Sequence, residues 1–217
     1  MQTPRIDTFC LGDFQSNSFV VTVPGAGDGC WIVDCGQDPE PLIEHVRARG
    51  LRVEAILLTH AHYDHIAGLD EVREALGPMP VWLHEAEAAF CGDPMLNLSA
   101  FGGLPLRAQA PDHWFRGDDR LDLAGTSWVV RHAPGHSPGC VVIHHPDSAQ
   151  AIVGDTLFAG SIGRTDFPTS DPAAMRRSLQ TVLLAMPDET RIHPGHGPAT
   201  TIGAERRSNP FLVPGGW

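Results

Sequence analysis

Apolar residues in this chain fall in short blocks of strand length, separated by glycine- and proline-rich connectors and by stretches with helical spacing. SFVVTVP (18–24) and CWIVDCG (30–36) are β-branched runs joined by the turn-rich connector GAGDG, which predicts an N-terminal hairpin. DPEPLIEHVRARG (38–50) opens on prolines, carries amphipathic spacing and closes on Gly50, as a helix does. VEAILLT (53–59) is a continuous apolar run, expected of a strand buried on both faces. Ile66, Leu69, Val72 and Leu76 then recur at helical spacing up to Gly77-Pro78. PVWLH (80–84) reads as a strand and EAEAAF (85–90) as a short helix. Residues 92–120, rich in Gly, Pro and Asp without a period, read as one long loop. TSWVVRHA, CVVIHH and AIVGD predict three strands in succession. DPAAMRRSLQTVLLAM (171–186) predicts a helix capped by aspartate, and TRIHPG (190–195) a last strand. Strands and helices alternate in both halves with no low-complexity linker, which implies one α/β domain over residues 1–217.

Composition narrows the function. The net charge of −11 repels phosphate backbones, so nucleic acid is not an expected partner. No apolar stretch approaches the roughly 20 residues that span a bilayer, so no membrane partner is expected. The N-terminus lacks a basic start followed by an apolar segment, and the five cysteines never form a C-x-x-C pair. Both features point to reduced thiols and a cytoplasmic protein. The apolar tail NPFLVPGGW (209–217) suits docking on its own domain or on a second copy, which leaves a homo-oligomer open.

The chemistry sits at the strand ends. LTHAHYDHIAG (58–68) packs His60, His62, Asp64 and His65 into six positions after an apolar run. His60 and His62 point the same way if the backbone is extended, and Asp64 and His65 fall in the first turn of a helix. Three later strand ends each deliver one metal-type side chain into a Gly/Pro turn: His136 in HAPGHSPG, Asp155 in IVGDTLF and His196 in IHPGHGP. Five histidines and two aspartates exceed one four-coordinate zinc and suit two metal ions sharing a carboxylate, for which Asp155 is the natural bridge. Zinc is the first expectation, with iron or manganese compatible with the same ligands. GHSPG (135–139) also matches the nucleophile elbow G-x-S-x-G. That reading fails on Pro138, which has no N–H for an oxyanion hole, and it leaves the first cluster unexplained.

T-H-x-H-x-D-H followed by PGHSPG, GDTLF and PGHGP resembles the metallo-β-lactamase superfamily. GSIGRTDFP and PGHGPATTIGAERRSNPFL resemble its glyoxalase II-like hydrolases of the short single-domain bacterial type. The resemblance implies a four-layer αββα sandwich, two mixed β-sheets flanked by helices. It assigns His60, His62 and His136 to one metal, Asp64, His65 and His196 to the second, and Asp155 to both, making Asp64 and Asp155 the candidate catalytic carboxylates. Asp34 in IVDCG matches an aspartate that braces the histidine loop, although a turn residue at a strand end is the alternative. The implied reaction is attack of a metal-bridging hydroxide on S-2-hydroxyacyl-glutathione, such as S-lactoylglutathione. A thiolate leaves without a protonated acid, which favours thioesters over amides. Only 21 residues follow His196, so the glutathione contacts of larger enzymes in this group do not carry over. Arg164 meets a substrate carboxylate or holds its loop in an ion pair, and Ser161 and Thr165 are further candidate substrate contacts. A mononuclear iron persulfide dioxygenase using His60, His136 and Asp155, and a lactonase of the same fold, are the competing readings.

Overall fold

β2 (Ser16–Thr22) is buried along its whole length, and its alternate residues serve two different cores. Phe19 and Val21 face one core and Val20 the other, as the two-residue period of a strand requires. A computed structural model, describing residues 2–103 and 105–212, shows what lies on each side.

The first sheet has six strands in sequence order: β1 (Arg5–Leu11), β2, β3 (Gly29–Val33), β4 (Arg52–Leu57), β5 (Val81–His84) and β6 (His113–Phe115). β1 to β3 pair antiparallel and β3 to β6 parallel. The second sheet comprises β7 (Asp119–Leu123), β8 (Thr126–His132), β9 (Val141–His145), β10 (Gln150–Gly154), β13 (Arg191–Pro194) and β14 (Thr200–Thr201). Its order is β14-β13-β10-β9-β8-β7, with β10 and β13 parallel. The short hairpin β11 (Leu157–Phe158) and β12 (Ser161–Ile162) projects after β10.

Three apolar layers separate the elements. Phe19, Val21, Trp31, Val33 and Leu57 of the first sheet meet Trp128, Val130, Ile143 and Ile152 of the second. Behind the first sheet, Val20, Ile32 and Ile56 pack on α1 (Glu40–Ala48) and α3 (Leu69–Leu76) through Leu42, Val46, Leu69 and Val72. Behind the second, Val142, Ala151, Val153 and Ile192 pack on α4 (Pro172–Ser178) and α5 (Ile202–Ser208) through Met175 and Ile202. Helix, sheet, sheet and helix therefore stack as the predicted αββα sandwich. Each fully buried Val, Leu or Ile in these layers contributes about 1.5–3 kcal/mol by leaving water.

Several elements differ from the sequence reading. The helix expected from Ile66 to Leu76 is two, α2 (Tyr63–Ile66) and α3, because the chain bends at 67–68 so that Gly68 N–H can donate to Cys35 O. The 92–120 segment is not one loop: it contains β6, a three-residue strand added beside β5, and β7 begins at Asp119. β1 was not expected, and α5 follows the last predicted strand, capped by Thr201. Of the apolar tail, Leu212 packs against the core behind the second sheet, and residues 213–217 lie outside the described residues. The five cysteines are unpaired. Among the described residues no helix is long and apolar enough to cross a membrane.

Candidate metal centre

The ends of both sheets meet along one edge, and there the seven predicted ligand residues come together. β4 ends at Leu57, and the segment behind it carries His60 and His62 before α2 places Asp64 and His65 in its only turn. His136 follows β8, Asp155 follows β10 and His196 follows β13. Two sets of three have ligand atoms mutually close enough for one cation: His60, His62 and His136, and Asp64, His65 and His196. His60, His65 and Asp155 form a further overlapping set.

Asp155 faces both trios. Its Oδ1 is 3.3 Å from His65 Nε2, and its Oδ2 is 3.5 Å from both His136 Nε2 and His196 Nε2. His62 Nδ1 lies 2.8 Å from His136 Nε2, and His196 Nε2 lies 3.0 Å from Asp64 Oδ2. The polypeptide makes room for this crowding. A Cβ on Gly195 would stand 2.1 Å from Asp155 Oδ1 and 2.8 Å from His65 Cε1, so no larger residue fits before His196.

Surrounding groups set the orientation of the rings. Asp34 accepts from Thr59 N–H and from the Thr59 hydroxyl, both at 2.7 Å, and its Oδ2 lies 2.9 Å from His65 Nδ1. This buried carboxylate turns the Nε2 of His65 inward, and Asp34 holds a positive φ of 59° to do so. Arg164 O lies 2.9 Å from His136 Nδ1, which as N–H donor leaves Nε2 free. At the start of β2, Ser16 Oγ donates to Asp64 O, and Asn17 Nδ2 donates to Pro194 O and Gly197 O on either side of His196.

The trios differ in charge. Burial, reinforced by neighbouring imidazoles, lowers His60 well below its ordinary pKa and His62 to about 3, and burial also lowers His136. These rings are neutral and can offer lone pairs. Burial also opposes charge on His65, but Asp64, Asp155 and Asp34 outweigh it and raise its pKa well above the usual value. His196 likewise rises to about 9, because hydrogen bonds to Asp155 and Asp64 overcome its burial.

A divalent cation fits this donor set. His60 Nε2 is buried without a hydrogen-bond partner, and the buried His65 Nε2 and Asp155 Oδ1 face each other at 3.3 Å, joined by ion pairing alone, a costly arrangement in one cluster. A cation binding imidazole and carboxylate would satisfy such atoms.

A cavity of about 920 Å³ opens over the trios. Phenyl rings dominate its rim: Phe14 from the β1–β2 turn, Phe101 from the 93–103 loop, Phe158 and Phe167, with Tyr63 beside Phe14. Phe14 and Phe101 are exposed. Of the predicted substrate contacts, Ser161 and Arg164 line the cavity. Arg164 is exposed, pairs bidentately with Asp166 at 2.8 and 2.9 Å, and lies over the Phe167 ring. Thr165, also predicted, is not among the residues that line the cavity. Sequence reasoning also missed Glu87, Ser16, Asn17 and Phe14. Only Asn17, a polar residue opening an apolar strand, carried any signal.

Similar proteins agree with this architecture. The hydroxyacylglutathione hydrolase GloC of Haemophilus influenzae is 37% identical over 183 residues, 83% of this chain and 86% of that one. The solved BLEG-1 B3 metallo-beta-lactamase is 38% identical with a TM-score of 0.91, covering 96% of this chain and all of that one. The solved di-iron-bound form of TTHA1623 is 40% identical with a TM-score of 0.84, covering 95% and 100%. The model of the metallo-beta-lactamase superfamily matches residues 11–196, and with both sheets and the strand-end histidine–aspartate cluster in place, the chain belongs to that superfamily.

Proposed function

We propose that this chain is a metal-dependent hydrolase of acyl thioesters, with S-2-hydroxyacyl-glutathione such as S-lactoylglutathione as substrate, releasing the hydroxy acid and the thiol. The observation that carries the reading is the pair of ligand trios sharing Asp155 beneath an open cavity. His60, His62 and His136 would hold one divalent ion and Asp64, His65 and His196 the other, with Asp155 between. Two such ions supply a water activated near neutral pH and a Lewis acid for a carbonyl oxygen. Zinc, iron and manganese all accept these ligands, and the solved relative at 40% identity carries two irons.

The chain's own residues prepare the site. Asp34 and the Arg164 carbonyl hold His65 and His136 with one ring nitrogen turned inward. The phenyl rim would shield an acyl group from water, and Arg164, which lines the same cavity, is the candidate partner for a substrate carboxylate. A thiol of pKa about 8.5 leaves as thiolate, so the reaction needs no protonated acid from the cavity wall. GloC, named for hydrolysis of a glutathione thioester, supports this choice of substrate.

The test pairs elemental analysis of protein purified without chelator with thiol release from S-lactoylglutathione. Two transition-metal ions per chain and metal-dependent thiol release are expected. One iron per chain, with oxygen consumed on glutathione persulfide, would replace this reading with a dioxygenase. Two ions without thiol release, but with opening of a lactone or a β-lactam ring, would keep the metal centre and overturn the substrate.

A further inference from the structure

The GHSPG stretch places its serine in a network that the reaction above does not use. Ser137 is fully buried and donates its hydroxyl to Oε1 of Glu87, and Gly139 N–H donates to the same oxygen at 2.8 Å. The other oxygen, Oε2, accepts from Ala61 N–H at 2.6 Å. Ala61 lies between His60 and His62, and Ser137 directly follows His136. One carboxylate, carried on the turn after β5, therefore ties together the two loops that bear the buried histidine trio.

The chemistry of this tie is specific. Glu87 is 0% exposed, and burial pushes its carboxyl up to about 7 while the three neutral donors from Ser137, Gly139 and Ala61 favour the charged form, so the acid is kept inside at a desolvation cost. A glutamine could accept on one oxygen only and would aim N–H donors at the other loop. The packing is also built around the acid: a Cβ on Gly139 would stand 2.8 Å from Glu87 Cγ. Asp34 does the comparable job for the other trio, but touches its ligand directly.

We propose that Glu87 is a positioning residue for the buried trio: through Ala61 and Ser137–Gly139 it sets the separation of His60 and His62 from His136, and with it the trio's affinity and geometry for a divalent cation. The proposal rests on reading the trio as a metal site, and it is independent of the substrate.

The test is cobalt(II) titration of chelator-stripped protein, read by visible absorption and by competition with a chromophoric chelator. Wild type is compared with Glu87→Gln, Ser137→Ala and the distant core variant Val46→Ala. Glu87→Gln is expected to weaken one binding step roughly 10- to 100-fold and to shift the cobalt absorption. Ser137→Ala, which removes one donor of three, is expected to change both by less. Val46→Ala is expected to lower Tm with wild-type affinity and spectrum. Unchanged affinity and spectrum in Glu87→Gln, whatever its Tm, overturns the proposal. If Glu87→Gln does not fold, Glu87→Asp replaces it, keeping the charge but too short to reach both loops. A wild-type titration in Glu87→Asp overturns the proposal equally. Wild-type protein that takes up no cobalt would overturn the metal reading and this proposal with it, whereas failure on thioesters alone would leave this proposal standing.

Discussion

The two trios of the metal centre are built on opposite electrostatic plans. His60, His62 and His136 are nearly inaccessible, contain no carboxylate of their own, and are driven neutral by burial. In the other trio His65 is fully buried but His196 and Asp64 are 29% and 19% exposed, and carboxylates hold protons on the two imidazoles. Without a cation, the first set offers lone pairs at the cost of unpartnered buried nitrogens. The second satisfies itself by ion pairing, and a cation must displace its protons. Asp155 alone takes part in both plans.

The largest effect should therefore come from Asp155→Ala. It is expected to cut metal content below one ion per chain and kcat/KM by at least ~10²-fold, above the range seen for outer partners of a ligand. Elemental analysis and steady-state kinetics check it. A variant that keeps two ions would show that the trios are independent.

Single-trio variants come next. His196→Ala is expected to leave about one ion per chain, retained by the buried trio, and His136→Ala to weaken binding at that trio. If His196→Ala instead empties both sites, the buried trio does not stand alone.

The pH dependence of the metal-free protein should separate the plans. His196 has a raised pKa, so its contribution to stability is complete below about 6.5, the unfolded value, and is lost as pH rises through about 9. His62 has a lowered pKa, so its contribution is present above about 6.5 and is lost as pH falls toward about 3. Thermal melts of chelated protein are expected to fall off on both sides of neutrality, and added metal is expected to flatten the alkaline side first. An alkaline limb unchanged by metal would mean that no cation replaces the His196 proton.

Arg164→Ala should have the smallest effect. Its exposed pair with Asp166 is screened by water, so Tm and kcat are expected to stay close to wild type. A KM increase confined to carboxylate-bearing thioesters would show that the guanidinium leaves Asp166 for substrate.

How legible each part was follows from sequence distance. His60, His62, Asp64 and His65 crowd one strand end, and His136, Asp155 and His196 each close a run of strand period, so spacing alone marks them. α1 and α4 are equally local, the latter through the cap that Asp171 provides to Ala173 and Ala174 N–H. β6 was not legible because His113–Phe115 is too short to show a period and exists only as a partner to β5.

The amino-acid order by itself determined the inventory: two runs of alternating strands and helices, seven ligand-type side chains at strand ends, and Asp34 before its turn. Those features depend on backbone period and on residues within a few positions of each other. Only the tertiary structure decided which side chains hold the ligands in place and what surrounds them. Glu87 acts on Ala61 and Gly139 across 26 and 52 residues, and Asn17 on Pro194 across 177. Phe14 and Phe101 likewise become a cavity rim only when distant loops meet. Nothing in the local sequence of a buried acid names its partners, because folding creates the contacts that offset the desolvation of its charge.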